Sequence, residues 1–151
     1  MGTFLDMRTS QNASNPFTAT LSTFATNPSL IGVIGLQTRN VANPIVKLEG
    51  TLGVATSFDT FATVTVLFAR GTTNPTGGTI IYTAVVGVPT NPPAAVGGIT
   101  SPQIITVCAA DLLAPAAAET VYTMLAYAST DATRTGPESF QGIAANTATT
   151  P

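Results

Sequence analysis

Any chemistry this sequence performs is performed without histidine: it has five cations, seven carboxylates, one cysteine and no imidazole. The commonest general base and the commonest metal ligand are therefore both missing, and serine or cysteine triads of the usual kind go with them. Paired carboxylates could still hydrolyse glycosides. The seven acids, Asp6, Glu49, Asp59, Asp111, Glu119, Asp131 and Glu138, are scattered, however, and no tryptophan stands beside them to stack on a sugar. Asp111, Asp131 or Glu138 with backbone oxygens offers calcium some ligands, but no Asp-x-Asp-x-Asp loop orders them. The glycines of "GLQTRN" and "GTLGVATS" fit turns or bulges, because neither segment has the frame of a phosphate-binding loop. The expectation is no catalytic residue, no metal and no cofactor: a protein that is not an enzyme.

Two charge pairs stand out. Arg134 and Glu138, in "TRTGPESFQG", flank Gly136 and Pro137, a planar fork donor facing a two-oxygen acceptor. They read either as a solvated turn with a weak surface pair or as a structural salt bridge, within the chain or between subunits. Lys47 and Glu49 are two apart on one face of an expected strand. Cys108 is alone in the apolar run "IITVCAA", where a thiol acts as a small buried hydrophobe; an intermolecular bridge is the other reading.

The elements that must position these residues follow from composition. Charged residues are only 8 % of the chain against an ordinary level of about 25 %, while hydrophobic residues reach 44 % and mean hydropathy +0.37. Thr and Ala are the commonest residues, and Thr suits a half-exposed pleated surface through its branched Cβ. Segments rich in Val, Ile, Thr, Phe and Tyr recur between Gly, Pro and Asn clusters at the spacing of a sandwich or barrel. Strands are expected near 17–25, 30–38, 44–49, 52–58, 60–69, 78–87, 99–108, 119–128 and 138–145, with a hairpin across "RGTTNPTGGTIIYTAVV". The three prolines of "VPTNPPAAVGG" (88–98) make a loop, and "AADLLAPAAAE" (109–119) is the one candidate helical turn. Such a pattern predicts an all-β, antiparallel jelly roll or related β-sandwich. Residues 17–151 are read as that single domain.

Residues 1–16 lack alternation and end at Pro16, but begin with the apolar Phe4, Leu5 and Met7. They are read as an extended N-terminal connector arm whose three apolar side chains contact a neighbouring subunit. Burying them would contribute roughly 1.5–3 kcal/mol each, nearly cancelled by an ordering cost of about 1–2 kcal/mol per residue, so the arm would also have to pair as a strand. Arg8, Arg39, Lys47, Arg70 and Arg134 form no basic stripe, so nucleic acid is not an expected partner. The longest hydrophobic stretch, 104–118, is broken by Asp111 and Pro115 well short of a membrane span. The start lacks the n- and h-regions of a secretory signal, Asp6 stands where a myristoylation motif wants Ser or Thr, and the Asn12-Ala13-Ser14 sequon has no secretory context. A weakly charged surface favours self-association.

Taken together, "VKLEGTLGVATSFDTFATVTVLFARGT", "IIYTAVV", "PQIITVCAADLLAPAAAETVYTMLAYAST" and "TRTGPESFQGIA" resemble the small exosporium proteins of spore-forming Bacillus relatives, the exosporium protein C type. The likeness covers residues 40 to 145 and is most specific in "VYTMLAY" followed by "RTGPESFQG". It implies a structural protein of the spore surface, an exosporium layer or appendage, made in the mother-cell cytosol without a signal peptide. It further implies a jelly roll of the tumour-necrosis-factor type that trimerises and meets copies of itself and other spore-coat or exosporium proteins. The chain is also similar in logic to endospore appendage subunits, whose N-terminal connector docks into the next jelly roll, though it lacks their cysteine-rich connector. The expected function is a self-assembling structural subunit of fibre or layer, and the alternative is a trimeric spore-borne adhesin or carbohydrate-binding head.

Overall fold

Alternation of apolar and polar side chains, period two, governs most of this chain and leaves each strand one face to bury. The computed structural model describes residues 2–56, 61–89 and 102–146. Among these residues nine strands follow in chain order: β1 (Thr3–Ala13), β2 (Ala19–Thr20), β3 (Ser29–Leu36), β4 (Pro44–Thr56), β5 (Ala62–Arg70), β6 (Thr79–Val88), β7 (Gln103–Asp111), β8 (Thr120–Ala128) and β9 (Ala132–Asn146). Every pairing is antiparallel. One sheet has the order β1-β9-β4-β7, with β2 also on β9; the other has the order β3-β8-β5-β6. The pairs β3·β8, β4·β7 and β5·β6 nest inside one another and alternate between the sheets. A long hairpin is thus rolled around a core, which makes the expected fold, an all-β jelly roll, the observed one.

The core lies between the inward faces. Val46, Leu48, Leu52, Val54 and Phe140 from the first sheet meet Val64, Val66, Phe68, Tyr122 and Met124 from the second, all fully buried. Phe68 stacks on Tyr82 with ring centroids 6.1 Å apart and tilts against Phe140 at 5.3 Å, within the range where aromatic pairs attract.

Several expectations are corrected. Residues 3–13 pair along β9 of their own chain, from Thr3 opposite Asn146 to Ala13 opposite Glu138. Leu5 is buried in this chain's core, whereas Phe4 and Met7 stay exposed. The expected arm is here an edge strand, because backbone pairing with β9 supplies the bonds that three apolar side chains alone could not. The segments 44–49 and 52–58 merge into β4, which passes through Gly50 unbroken, and 17–25 shrinks to the two residues of β2. No helix forms among the described residues: β7 runs to Asp111, and bends carry the chain on to Thr120. Cys108 is exposed rather than buried, since Ile105 and Val107 take the inward positions of β7 and leave it on the opposite parity. Most of the loop at 88–98 and the acid Asp59 lie outside the described residues.

One glycine is demanded by close approach. Gly53 on β4 faces the irregular part of β9, and a β-carbon there would fall on the carbonyl oxygen of Gly136. Backbone cannot yield as a side-chain tip can, so Gly53→Ala is expected to destabilise by about 1–3 kcal/mol, read as a lower urea midpoint with an unchanged slope.

Candidate functional site

β9 changes partner partway along its length. Its outer neighbour is β2 opposite Thr133 and Arg134, and β1 from Glu138 onwards. On its other side β4 pairs Leu52 with Glu138 and Val54 with Arg134, so Gly53 alone faces residues 135 to 137. The extra residues form a bulge, with a cis peptide at Gly136-Pro137 and Gly136 at φ +68°, a left-handed conformation natural to glycine. The chain crossing from β1 to β2 lies against it, where the Phe17 amide donates to the Thr135 carbonyl at 3.2 Å.

Arg134 and Glu138 close this bulge like a clasp. The Arg134 Nε donates to Glu138 Oε1 at 2.6 Å and its Nη2 donates to Oε2 at 2.5 Å, a bidentate pair. Asn12 Nδ2 at the end of β1 donates to the same Oε2 at 2.5 Å, and the guanidinium lies 5.6 Å from the Phe17 ring centre. Glu138 is 0 % exposed and Arg134 only 13 %. The reading as a solvated turn pair is therefore overturned, and the structural salt bridge stands, made within one chain. A carboxylate with no exposure and three protein donors has no face left for substrate.

A second buried network was not legible as a pair, because its members are 41 residues apart. Arg70 Nη1, at the end of β5, donates to Asp111 Oδ2 at 2.7 Å and to the Leu113 carbonyl at 2.6 Å. Tyr122 Oη donates to the same Oδ2 at 3.0 Å, and the Leu113 amide donates to Oδ1 at 3.0 Å. Burial, and then the charge of Asp111 and its hydrogen bond, hold the Tyr122 phenol far above the usual tyrosine range despite Arg70. The available signal was a lone charge closing each of two apolar runs.

The remaining candidates are dispersed. Lys47 and Glu49 stand 4.0 Å apart on the outer face of β4. Asp6 accepts from the Gln37 amide at 2.9 Å and from Arg8 Nε at 3.0 Å. Desolvation, the largest single influence on Asp6, works against its charge, yet these donors together outweigh it and hold the carboxyl below its usual range. Among the described residues no three His, Cys, Asp or Glu side chains gather as metal ligands would. One open cleft of about 420 Å³ brings Thr20, Ser22, Asn27 and Asp131 beside Phe24, whose side chain is 68 % exposed.

The arrangement defines a jelly-roll β-sandwich whose buried charges are structural. No family model matches the chain, and no curated protein matches it. Among solved structures it is similar to the Eiger TNF of S. frugiperda, at 12 % identity over 99 % of this chain and 96 % of that one, with a TM-score of 0.49. It is also similar to the VP2 subviral particle of infectious bursal disease virus, at 13 % identity over 93 % of this chain and 37 % of that one, with a TM-score of 0.41.

Removing one partner of the clasp strands the other charge. Arg134→Met is expected to cost about 3–5 kcal/mol, while Arg134→Met with Glu138→Leu recovers most of the loss, both by urea unfolding. For Tyr122 the raised folded-state value fixes the sign: below the unfolded value of 10.0 both states hold the proton, and above it only the folded state does. Stability must fall as pH rises beyond 10. Tyr122→Phe is expected to be less stable at pH 7 by about 1–3 kcal/mol but to show a shallower alkaline decline.

Proposed function

We propose that this chain is a self-assembling structural subunit rather than an enzyme. The observation that carries the reading is the distribution of charge between the sheets. Across β3, β5, β6 and β8 the only charged residue is Arg70, and it is engaged by Asp111. The outer face of that sheet carries Leu30 and Val85, both exposed, with Leu67, Leu125 and Tyr127 between or beside them. Leu125 is buried although it lies on this outward parity, flanked by its apolar neighbours. A face that holds no charge has little to oppose its association with a second apolar surface.

The setting on a spore surface, the trimer, and contacts with coat or exosporium proteins are supported by the resemblance of the sequence and belong to the same proposal. In this reading subunits join through sheet faces and edges. The N-terminal strand contributes by completing the sheet that β9 centres, and Phe4 and Met7 remain available on its surface.

A second reading, a glycan-binding head, is favoured by the Phe24 cleft, where an exposed ring stands beside a carboxylate, hydroxyls and an amide. Untagged protein is expected to form particles of regular repeat in negative-stain micrographs and species larger than a monomer in analytical ultracentrifugation. A monomer at every concentration, with saturable glycan binding lost in Phe24→Ala, would replace the structural reading by the second.

A further inference from the structure

Among the described residues four strands longer than the two-residue β2 stand at sheet edges, and they are not equivalent. β1 carries Asp6 and Arg8 and two register shifts along its pairing with β9. β3 has a register shift after Leu30 and packs beside β1. β7 borders the strand that carries Lys47 and Glu49, ends in Asp111, and exposes one large apolar side chain, Ile104. β6 differs from β1 and β7 in carrying no charge, and from β3 in its longer stretch of unshifted register. It is ten residues long, pairs among the described residues only with β5, and contains neither a charge nor a proline from Thr79 to Val88. Its stretch Tyr82–Val88 lies opposite Phe68–Ala62 without a register shift, and it exposes Ile80, Tyr82 and Val85.

Natural edge strands are blunted by lysine, proline, bulges or shortness, because their outward N–H and C=O groups template another strand. Along Tyr82–Val88 β6 has none of these devices. We propose that β6 is an interaction edge whose occupant is β6 of a second copy of this chain, paired antiparallel about a two-fold axis at Thr83, near the strand centre. The inference rests on the self-assembly reading and names the contact.

The second copy is favoured over a foreign strand by charge and symmetry. In a two-fold antiparallel pairing, residues near the axis face their own counterparts, so any charge there would oppose itself. An uncharged strand is suited to that arrangement and offers a charged peptide nothing to recognise. The paired edge would join two four-stranded sheets into one of eight strands, bringing Val85 of each copy beside apolar side chains of the other.

The test compares single lysines on two edges. Val85→Lys, on β6, is expected to shift the sedimentation equilibrium toward monomer by at least tenfold in dissociation constant, with far-UV circular dichroism unchanged. Thr106→Lys, on β7, is expected to leave it where it is. Thr83→Cys in a Cys108→Ser background reads the same contact without adding charge, and is expected to form a disulfide-linked dimer under mild oxidation. Association undisturbed by Val85→Lys together with no Thr83→Cys dimer overturns the β6 contact while leaving self-assembly intact. Loss of association in Thr106→Lys alone overturns it in favour of β7. A wild type that is monomeric throughout overturns both the contact and the reading beneath it.

Discussion

A carboxylate with no exposure to solvent sets the terms for one whole sheet. Glu138 faces inward on the same parity as Phe140, Gly142 and Ala144, and an unpaired charge there would cost several kcal/mol. It is retained because three donors from two separate segments meet it: both nitrogens of Arg134 across the bulge and the amide of Asn12 at the end of β1. The donors can converge only if β9 bulges between its two outer partners. The bulge can form only if Gly53 and Gly136 keep their backbones close. The hand-over from β1 to β2, the packing of Phe17 and the length of β9 all follow from satisfying that one group.

The Arg70 network does a comparable task for the other end of the roll. Arg70 closes β5 in one sheet and Asp111 closes β7 in the other, so their bond spans the seam where β6 and β7 leave the sandwich unpaired. Tyr122 completes the carboxylate from β8, and the Leu113 amide fixes the exit from β7. One buried ion pair therefore brackets a break in the backbone ladder and the other joins two strand ends. These two pairs hold most of the buried charge, and the strands of the second sheet are otherwise uncharged.

The strands and the jelly roll were legible because period-two alternation and proline-glycine punctuation are local signals. β5, β6 and β8 were placed within a few residues by Val, Ile, Thr and Tyr content alone. What was not legible depended on distant partners. Residues 3–13 lack alternation because they form an edge strand with only Leu5 turned into the core, so pattern gave no reason to place them in this sheet. Cys108 looked buried because the run around it is apolar; only the register of β7 against β4 settles which parity faces out. The Arg134–Glu138 spacing announced a pair, but its burial came from Asn12 and Phe17, more than a hundred residues away in sequence. The Phe24 cleft was not legible because Asp131 is far in sequence from the Thr20–Ser29 stretch and meets it only in the fold.

An isologous β6 contact is closed by its own symmetry: once two edges have paired, neither is left to recruit a third copy. A dimer edge therefore cannot build a fibre or a layer alone, and any extended assembly of this chain must use a second, different surface. The uncharged outer face of the β3-β8-β5-β6 sheet is one such surface, and it is continuous with the edge that β6 presents. If copies also associate about a three-fold axis through another face, two-fold edge contacts with axes parallel to it link those trimers into a flat layer. A two-fold axis inclined to the three-fold closes them into a shell instead. The difference between a wall and a particle then lies in one angle between two interfaces, which meet at Val85, exposed both on the outer face and on the edge strand.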